Sequence, residues 1–499
     1  VILAAIRANQ YTTAEKFPPI SFDEKMWTGA SILTYNMYKG YEKKQFNIDQ
    51  QWFATYAKKE GLSLSKMKKE DLKWFDQMLW TFGWKAPNVG KLIMGRHLSK
   101  KYGNELDKNG YFVIGENGVP ISQVSEEMIV SARTPNAIMT VLTIGLVFFI
   151  GWQFFHILIG LFGSLFLMLN NDFLMVSIKA GLDGPSIFFG CLTFLFTLYF
   201  IKYFFSKGKP AFFLSLLFAL FSGIGFALTV GSKLNGALLA YYAIALFAEI
   251  IIQLIRLYLV TPSSKESTKK SKRKKTNKKT KKQAKPGLFE LSSITSHSLL
   301  IGLSAILIIL SVRTVFLGTN PQFKSDPVKI TKIIRSSVHD FFQIRANGFK
   351  QQGRWTDEGS WGKSFKKVAE RNFALTNHEM RNNGMRKYYG TLGNLLPFKG
   401  NILDGLLIMA GFLFMLVTGT ILYFKKQGSK LSFAMALTLF GIFIIYGNTD
   451  FLWVDWSRYH MAMYVPFALF AGTGLYFIVW FLSKKIKLLP DISRIIDLR

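Results

Sequence analysis

The stretch AIMTVLTIGLVFFIGWQFFHILIGLFGSLFLMLN, residues 137–170, contains no Asp, Glu, Lys or Arg. A helix needs about 20 apolar residues to cross the hydrocarbon core of a bilayer. This run therefore holds either one long span or two spans sharing a very short turn. We read two, Ala137–Phe155 and His156–Asn170. The choice matters, because one span fewer turns everything upstream to the other face. Working outward, further candidate spans are Gly184–Phe205, Ala211–Val230, Gly236–Val260, Leu291–Phe316, Ile402–Phe424, Leu431–Tyr446 and Tyr459–Leu482. The composition agrees. The 499 residues are 50% hydrophobic and 15% aromatic yet carry a net charge of +32, which a soluble domain rarely combines and a polytopic membrane protein with basic loops does readily. The expected fold class is an all-α polytopic membrane protein, a transmembrane helical bundle with two large external loops.

Orientation has an independent check, because basic residues concentrate in cytoplasmic loops. With these spans, four clusters fall on one face: Lys202, Lys207 and Lys209; Arg256 with the Lys265–Lys285 run; Lys425, Lys426 and Lys430; and Lys484, Lys485 and Lys487. We assign that face to the cytoplasm. The long polar segments Gln10–Arg133 and Gly318–Lys399 then share the outer face. Val1–Ala8 reads as the outer end of a longer apolar helix, retained rather than cleaved, which brings the expected number of spans to about ten. The resulting layout is 1–15 remnant of the first span, 16–133 first external loop, 134–260 N-terminal bundle, 261–287 lysine-rich linker, 288–317 a further span, 318–400 second external loop, 401–484 C-terminal spans and 485–499 cytoplasmic tail. The expected location is a bacterial plasma membrane, with the active site facing outward.

Several function classes fall away. The single cysteine, Cys191, cannot form an intramolecular disulfide. His97, His156, His297, His339, His378 and His460 lack the usual metal-ligand spacing. The Ser263–Lys285 run has no interleaved aromatics to stack on bases, so it reads as a linker drawn to anionic lipid headgroups and not as a nucleic-acid site.

The residues with chemical potential cluster in the outer segments. PPISFDEKMW, residues 18–27, places Asp23 beside Glu24 at the mouth of the bundle. Carboxylates near a bilayer core are costly and call for a reason. One reading is a general base that deprotonates an acceptor hydroxyl. The other is an Asp23 that caps a helix over Glu24–Tyr41, a helix lying along the membrane surface with Met26, Trp27, Ile32, Leu33 and Met37 on its apolar side. Arg133 is either an anion ligand or a headgroup anchor. Arg458 and His460 are either ligands or anchors in an aromatic belt with Trp453 and Trp456. Asp183 is either a substrate contact or the cap of the following span, and His97 reads as a surface residue on a short amphipathic helix.

Phe22-Asp23-Glu24, followed by FGWKAPNVGKLIMG at residues 82–95, resembles the first external loop of the protein O-mannosyltransferase family, bacterial-type members of the GT-C superfamily included. SARTPNA (131–137) resembles the arginine-containing start of that family's second span. SIKAGLD (177–183) resembles its Arg/Ala-rich element ending in Asp. DWSRYH (455–460) with Tyr464-Val465-Pro466 resembles its late Arg-Tyr…Pro element. The resemblance implies a GT-C bundle and a polyprenyl-phosphate-sugar donor. It also implies Asp23 as base with Glu24 in support, and Arg133, Arg458, His460 and Lys91 as candidates for the donor phosphate. Lys85, Pro87, Asn88 and Asp183 become substrate-loop candidates. A divalent metal ion stays open as cofactor and a dimer stays open as assembly. The sequence departs from the family where Lys85-Ala86 replaces His-Pro, where the first loop is longer between Gln50 and Gln77, and in having no room for the β-trefoil module of eukaryotic members.

A single base opposite a phosphate leaving group implies inversion at the anomeric carbon. The expected activity is transfer of a hexose, mannose by the resemblance, to a hydroxyl of protein Ser/Thr, lipid or glycan on the outer face. The alternatives are an aminoarabinose-type lipid transferase of the same superfamily, a lipid-linked-sugar transporter or flippase, and a non-catalytic scaffold. Against transport stand the external acids and the lack of paired Gly/Pro-broken repeats.

Overall fold

The computed structural model describes residues 2–13, 20, 22–42, 87–107, 124–206, 208–233, 293–321, 402–424 and 464–486. The described residues form eleven helices and no strand: α1 (Ile2–Thr13), α2 (Phe22–Glu42), α3 (Val89–Asp107), α4 (Glu126–Phe154), α5 (Ile157–Leu169), α6 (Asn171–Ile178), α7 (Asp183–Phe204), α8 (Lys209–Ser232), α9 (Ser293–Thr319), α10 (Ile402–Phe424) and α11 (Tyr464–Ile486). Five of them, α4, α7, α8, α9 and α11, are long and apolar enough to cross a membrane, and α5 and α10 carry shorter apolar windows. The chain is an all-helical, multi-pass membrane protein. The expected spans Gly236–Val260 and Leu431–Tyr446, together with Lys85, Arg458 and His460, lie outside the described residues.

The 137–170 run does fold as two helices. Helix α4 begins well outside the apolar stretch, where the Ser125 hydroxyl accepts from the Met128 N–H and Glu126 and Glu127 occupy the positive end of the helix dipole. It turns at His156, whose Nδ1 accepts from the Leu158 N–H to cap α5. Helix α5 has 13 residues, about 20 Å at 1.5 Å per residue, too short for the hydrocarbon core by itself. The return crossing is completed by α6. The Asn170 side chain caps α6 through the Phe173 N–H at 2.9 Å, and α5 and α6 together measure about 32 Å, the length of α4 from Arg133 to Phe154. The chain therefore regains the Arg133 end at residue 180.

The remaining helices keep this parity. Asp183 at the start of α7 is paired with Lys233 at the end of α8. The Asn320 side chain at the end of α9 accepts from the Asn88 N–H at 2.7 Å, and Tyr464 at the start of α11 sets its ring against Phe173 in a tilted contact, centroids 5.7 Å apart. These contacts gather at one end of the bundle. At the other end lie His156, against Tyr476 at 4.9 Å, and the turn between α7 and α8.

The inner helices meet through glycine. A Cβ at Gly163 of α5 would come within 2.8 Å of the Ala468 carbonyl oxygen in α11, and one at Gly411 of α10 would run into the Phe470 carbonyl oxygen. Small residues at such crossings let backbones approach where lipid offers no hydrophobic drive to associate. Helix α9 meets α8 in the same way, since a Cβ at Gly223 would run into Ser311 Oγ, while its other flank is exposed, Ile309 at 65%. Gly411→Ala is expected to lower stability by about 1–3 kcal/mol through overpacking. Gly302→Ala, which meets nothing within 4 Å, should be neutral or stabilising by up to about 1 kcal/mol. Melting temperatures of the two variants in detergent check the contrast, and equal shifts would refute it.

Candidate active site

The acid pair lies on a helix, because α2 starts at Phe22 and takes Asp23 and Glu24 into its first turn. The expectation of an Asp23 cap ahead of a helix starting at Glu24 is corrected accordingly. Neighbouring helical residues diverge by about 100°, and this separates the two acids. Asp23 is half-buried. Glu24 points inward and is only 2% exposed.

Glu24 meets Arg133 in a two-pronged pair, with Arg133 Nε donating to Oε1 at 2.8 Å and Nη2 to Oε2 at 2.9 Å. Arg133 is 1% exposed. The planar guanidinium suits a carboxylate in this geometry. Sequence analysis offered Arg133 to the donor phosphate or to the headgroups; in the structure its guanidinium engages Glu24 inside the protein. Glu24 Oε1 also accepts the Ala180 N–H at 3.0 Å, so a side chain of α2 grips both α4 and the segment joining α6 to α7.

That segment is held from a second side. Asn136, one turn beyond Arg133, donates from Nδ2 to the Lys179 carbonyl at 2.6 Å and to the Gly181 carbonyl at 3.0 Å. Asp183 opens α7 without a side-chain cap bond on the preceding residue, and its carboxylate faces Lys233. The capping reading of Asp183 gives way to this ion pair.

Helix α3 closes the other flank. Gly95 packs directly on the Ser31 carbonyl and the Tyr35 side chain of α2. The buried face of α2 holds Met26 and Ile32 as expected, but also Glu24, Thr28, Ser31 and Thr34. It is a packing face against protein, where sequence analysis expected a membrane-facing apolar stripe. Pro87 and Asn88 are buried at the start of α3, Asn88 through its backbone N–H on Asn320. His97 is not a surface residue: it is half-buried, with Nε2 3.2 Å from Ser131 Oγ. Burial first, and Lys101 second, push its pKa below the ordinary value.

Lys91 is fully buried in the first turn of α3. Desolvation holds its pKa well below the ordinary 10.5. In the window between the lowered value and 10.5 the unfolded chain binds the proton that the folded chain has released, so stability rises with pH there. Lys91→Met should flatten that rise. Unfolding curves taken across the alkaline range test this, and identical slopes for variant and parent would refute it.

Among the described residues no group of three or more His, Cys, Asp or Glu side chains is placed to hold a metal ion, so no step is derived through one. Asn136, Lys233 and Asn320 were not singled out from the sequence. The available signal was a polar residue at the edge of an apolar helix, where it is costly without a partner.

The tie between α4, the 179–183 segment and Lys233 is thus the frame around the acids. Residues 106–278 match the dolichyl-phosphate-mannose-protein mannosyltransferase family model. This mannosyltransferase match takes in Arg133, Asn136, Lys179–Asp183 and Lys233, about a third of the chain. Asp23 and Glu24 lie outside it, and Glu24 reaches it through Arg133 and Ala180. No curated protein matches the chain. Among solved structures, archaeal oligosaccharyltransferase AglB from Archaeoglobus fulgidus, in complex with an inhibitory peptide and a dolichol-phosphate, is similar at a TM-score of 0.39 and 12% identity, over 81% of this chain and 43% of that one. The chain thus spans less than half the length of that protein.

Proposed function

We propose that this protein is an inverting GT-C glycosyltransferase that moves a hexose, mannose by the family match, from a polyprenyl-phosphate donor to a hydroxyl acceptor on the non-cytoplasmic face. The observation that carries the reading is the bidentate Glu24–Arg133 pair, which joins the acid-bearing helix to the mannosyltransferase-like segment and leaves the half-buried Asp23 outside the pair. In the reaction the acceptor hydroxyl loses its proton to the Asp23 carboxylate as its oxygen bonds the anomeric carbon. The bond from that carbon to the phosphate oxygen breaks, and its electron pair leaves with the polyprenyl phosphate. Attack opposite the leaving group inverts the centre.

Glu24 and Arg133 serve in this scheme as positioning residues. The growing phosphate charge falls to cations: Lys91, whose ammonium form an adjacent phosphate would favour, with Arg458 and His460 from the C-terminal half. Lys85, Pro87, Asn88 and Asp183 border the substrate. A protein Ser/Thr acceptor follows the family, with lipid and glycan as the other hydroxyl sources.

The test incubates purified protein with radiolabelled polyprenyl-phosphate sugars and membrane extract, and follows label into peptide, lipid and glycan fractions. Transfer from one such donor, dependent on Asp23, supports the reading. Absence of transfer from every donor, with the lipid-linked sugar instead moved intact across vesicles, would put a flippase in its place.

A further inference from the structure

The segment Lys179–Gly181 presents three backbone polar groups, one on each residue, and each is bound by a buried side chain. Asn136 takes the Lys179 and Gly181 carbonyls, and Glu24 takes the Ala180 N–H between them. Asn136 has no exposed surface. Its two amide hydrogens are spent on this grip, while among the described residues its Oδ1 is buried without a hydrogen-bond partner. An orphaned buried acceptor costs about 1–3 kcal/mol. The amide is kept at that cost because an apolar side chain would leave the Lys179 and Gly181 carbonyls unpaired and the segment unheld. The surroundings are shaped to it. A Cβ at Gly184 would run into the Ser177 carbonyl and sit 3.4 Å from Asn136 Cβ, so α7 approaches this closely because residue 184 is glycine. Pro135, immediately before Asn136, removes one backbone N–H from α4 at the same level.

Asn136 also shares a face of α4 with Arg133, three residues earlier. Arg133 orients the Glu24 carboxylate directly. Asn136 orients it indirectly, by fixing the direction of the Ala180 N–H that Glu24 accepts. Asp23 immediately precedes Glu24 on α2, so its position depends on where Glu24 is anchored.

We propose that Asn136 is a positioning residue for the transfer reaction, holding the Lys179–Gly181 backbone so that Glu24 anchors the first turn of α2 and sets Asp23 against the acceptor hydroxyl. This rests on the glycosyltransferase reading above. Because Asn136 acts through Glu24 and not on the donor, its loss lowers kcat and leaves donor KM in place. Displacing a reacting group by about 1 Å costs up to about a hundredfold in rate.

The experiment compares steady-state transfer from a radiolabelled polyprenyl-phosphate sugar by the parent protein and by Asn136→Asp, Asn136→Ser and Thr143→Ala, each with its melting temperature in detergent. Thr143 is a buried control on the same helix, bonded only to the Met139 carbonyl. Expected are kcat losses of about tenfold to a hundredfold for both Asn136 variants, donor KM within about twofold of the parent, and unchanged kcat for Thr143→Ala. Should Asn136→Asp fail to fold, Asn136→Ser, which keeps one donor, decides alone. Parental kcat in folded Asn136→Ser overturns the inference, and so does a raised donor KM at unchanged kcat. An inactive parent protein overturns the glycosyltransferase reading itself, which is a separate result.

Discussion

Asp23→Asn protein is expected to transfer sugar about a thousandfold more slowly than the parent while binding the donor equally well. Asparagine keeps the shape and hydrogen-bonding reach of the side chain and loses the proton-accepting charge. Asp23 is half-buried on the first turn of α2, and the buried ties that hold that turn are made by its neighbour Glu24. Folding should therefore survive the change, and the loss should fall on kcat. Rates at saturating donor, paired with donor binding and a melting curve, separate these effects. A rate within about twofold of the parent would remove Asp23 from the chemistry and leave the acid pair with a structural role only.

Arg133→Ala is expected to cause the largest stability loss. It strands the Glu24 carboxylate at 2% exposure with two of its hydrogen bonds gone. Breaking one side of a buried ion pair costs about 3–5 kcal/mol, mostly because the partner charge stays buried. The double variant Glu24→Leu/Arg133→Met removes both charges at similar volume. It should recover most of the stability and none of the activity, because the Ala180 N–H then has no carboxylate to hold. Chemical unfolding in detergent gives the first quantity and transfer assays the second. If Arg133→Ala unfolds like the parent but no longer binds the donor, Arg133 is a phosphate ligand after all and the pair with Glu24 is incidental.

The spans were legible because they depend on length and apolarity, which are local properties. Ile402–Phe424 is a helix over the expected residues. Ala211–Val230 lies within α8 and Leu291–Phe316 overlaps α9, with ends displaced by two or three residues. The double crossing inside 137–170 could be read from the run's length, but not its completion by α6, because Asn170 caps the next helix through a bond to Phe173 that hydropathy does not register. The site was legible only as a list of residue types. Arg133 was visible as a cation at the end of a span. That it faces Glu24, 109 positions away, depends on how α2 rolls against α4, and on Gly95 letting α3 press on Ser31 to fix that roll.

By itself, then, the sequence determined a helical, multi-pass membrane bundle, since hydrophobic length acts residue by residue, and charge bias led to the expectation that its acids and its lysine clusters lie on opposite faces. The tertiary structure alone decided that the two adjacent acids differ. A helical step of about 100° sends Glu24 inward, to Arg133 and the Ala180 N–H, and leaves Asp23 half-buried. It also decided that Asn136, unremarkable in the chain, grips the same segment from the other side.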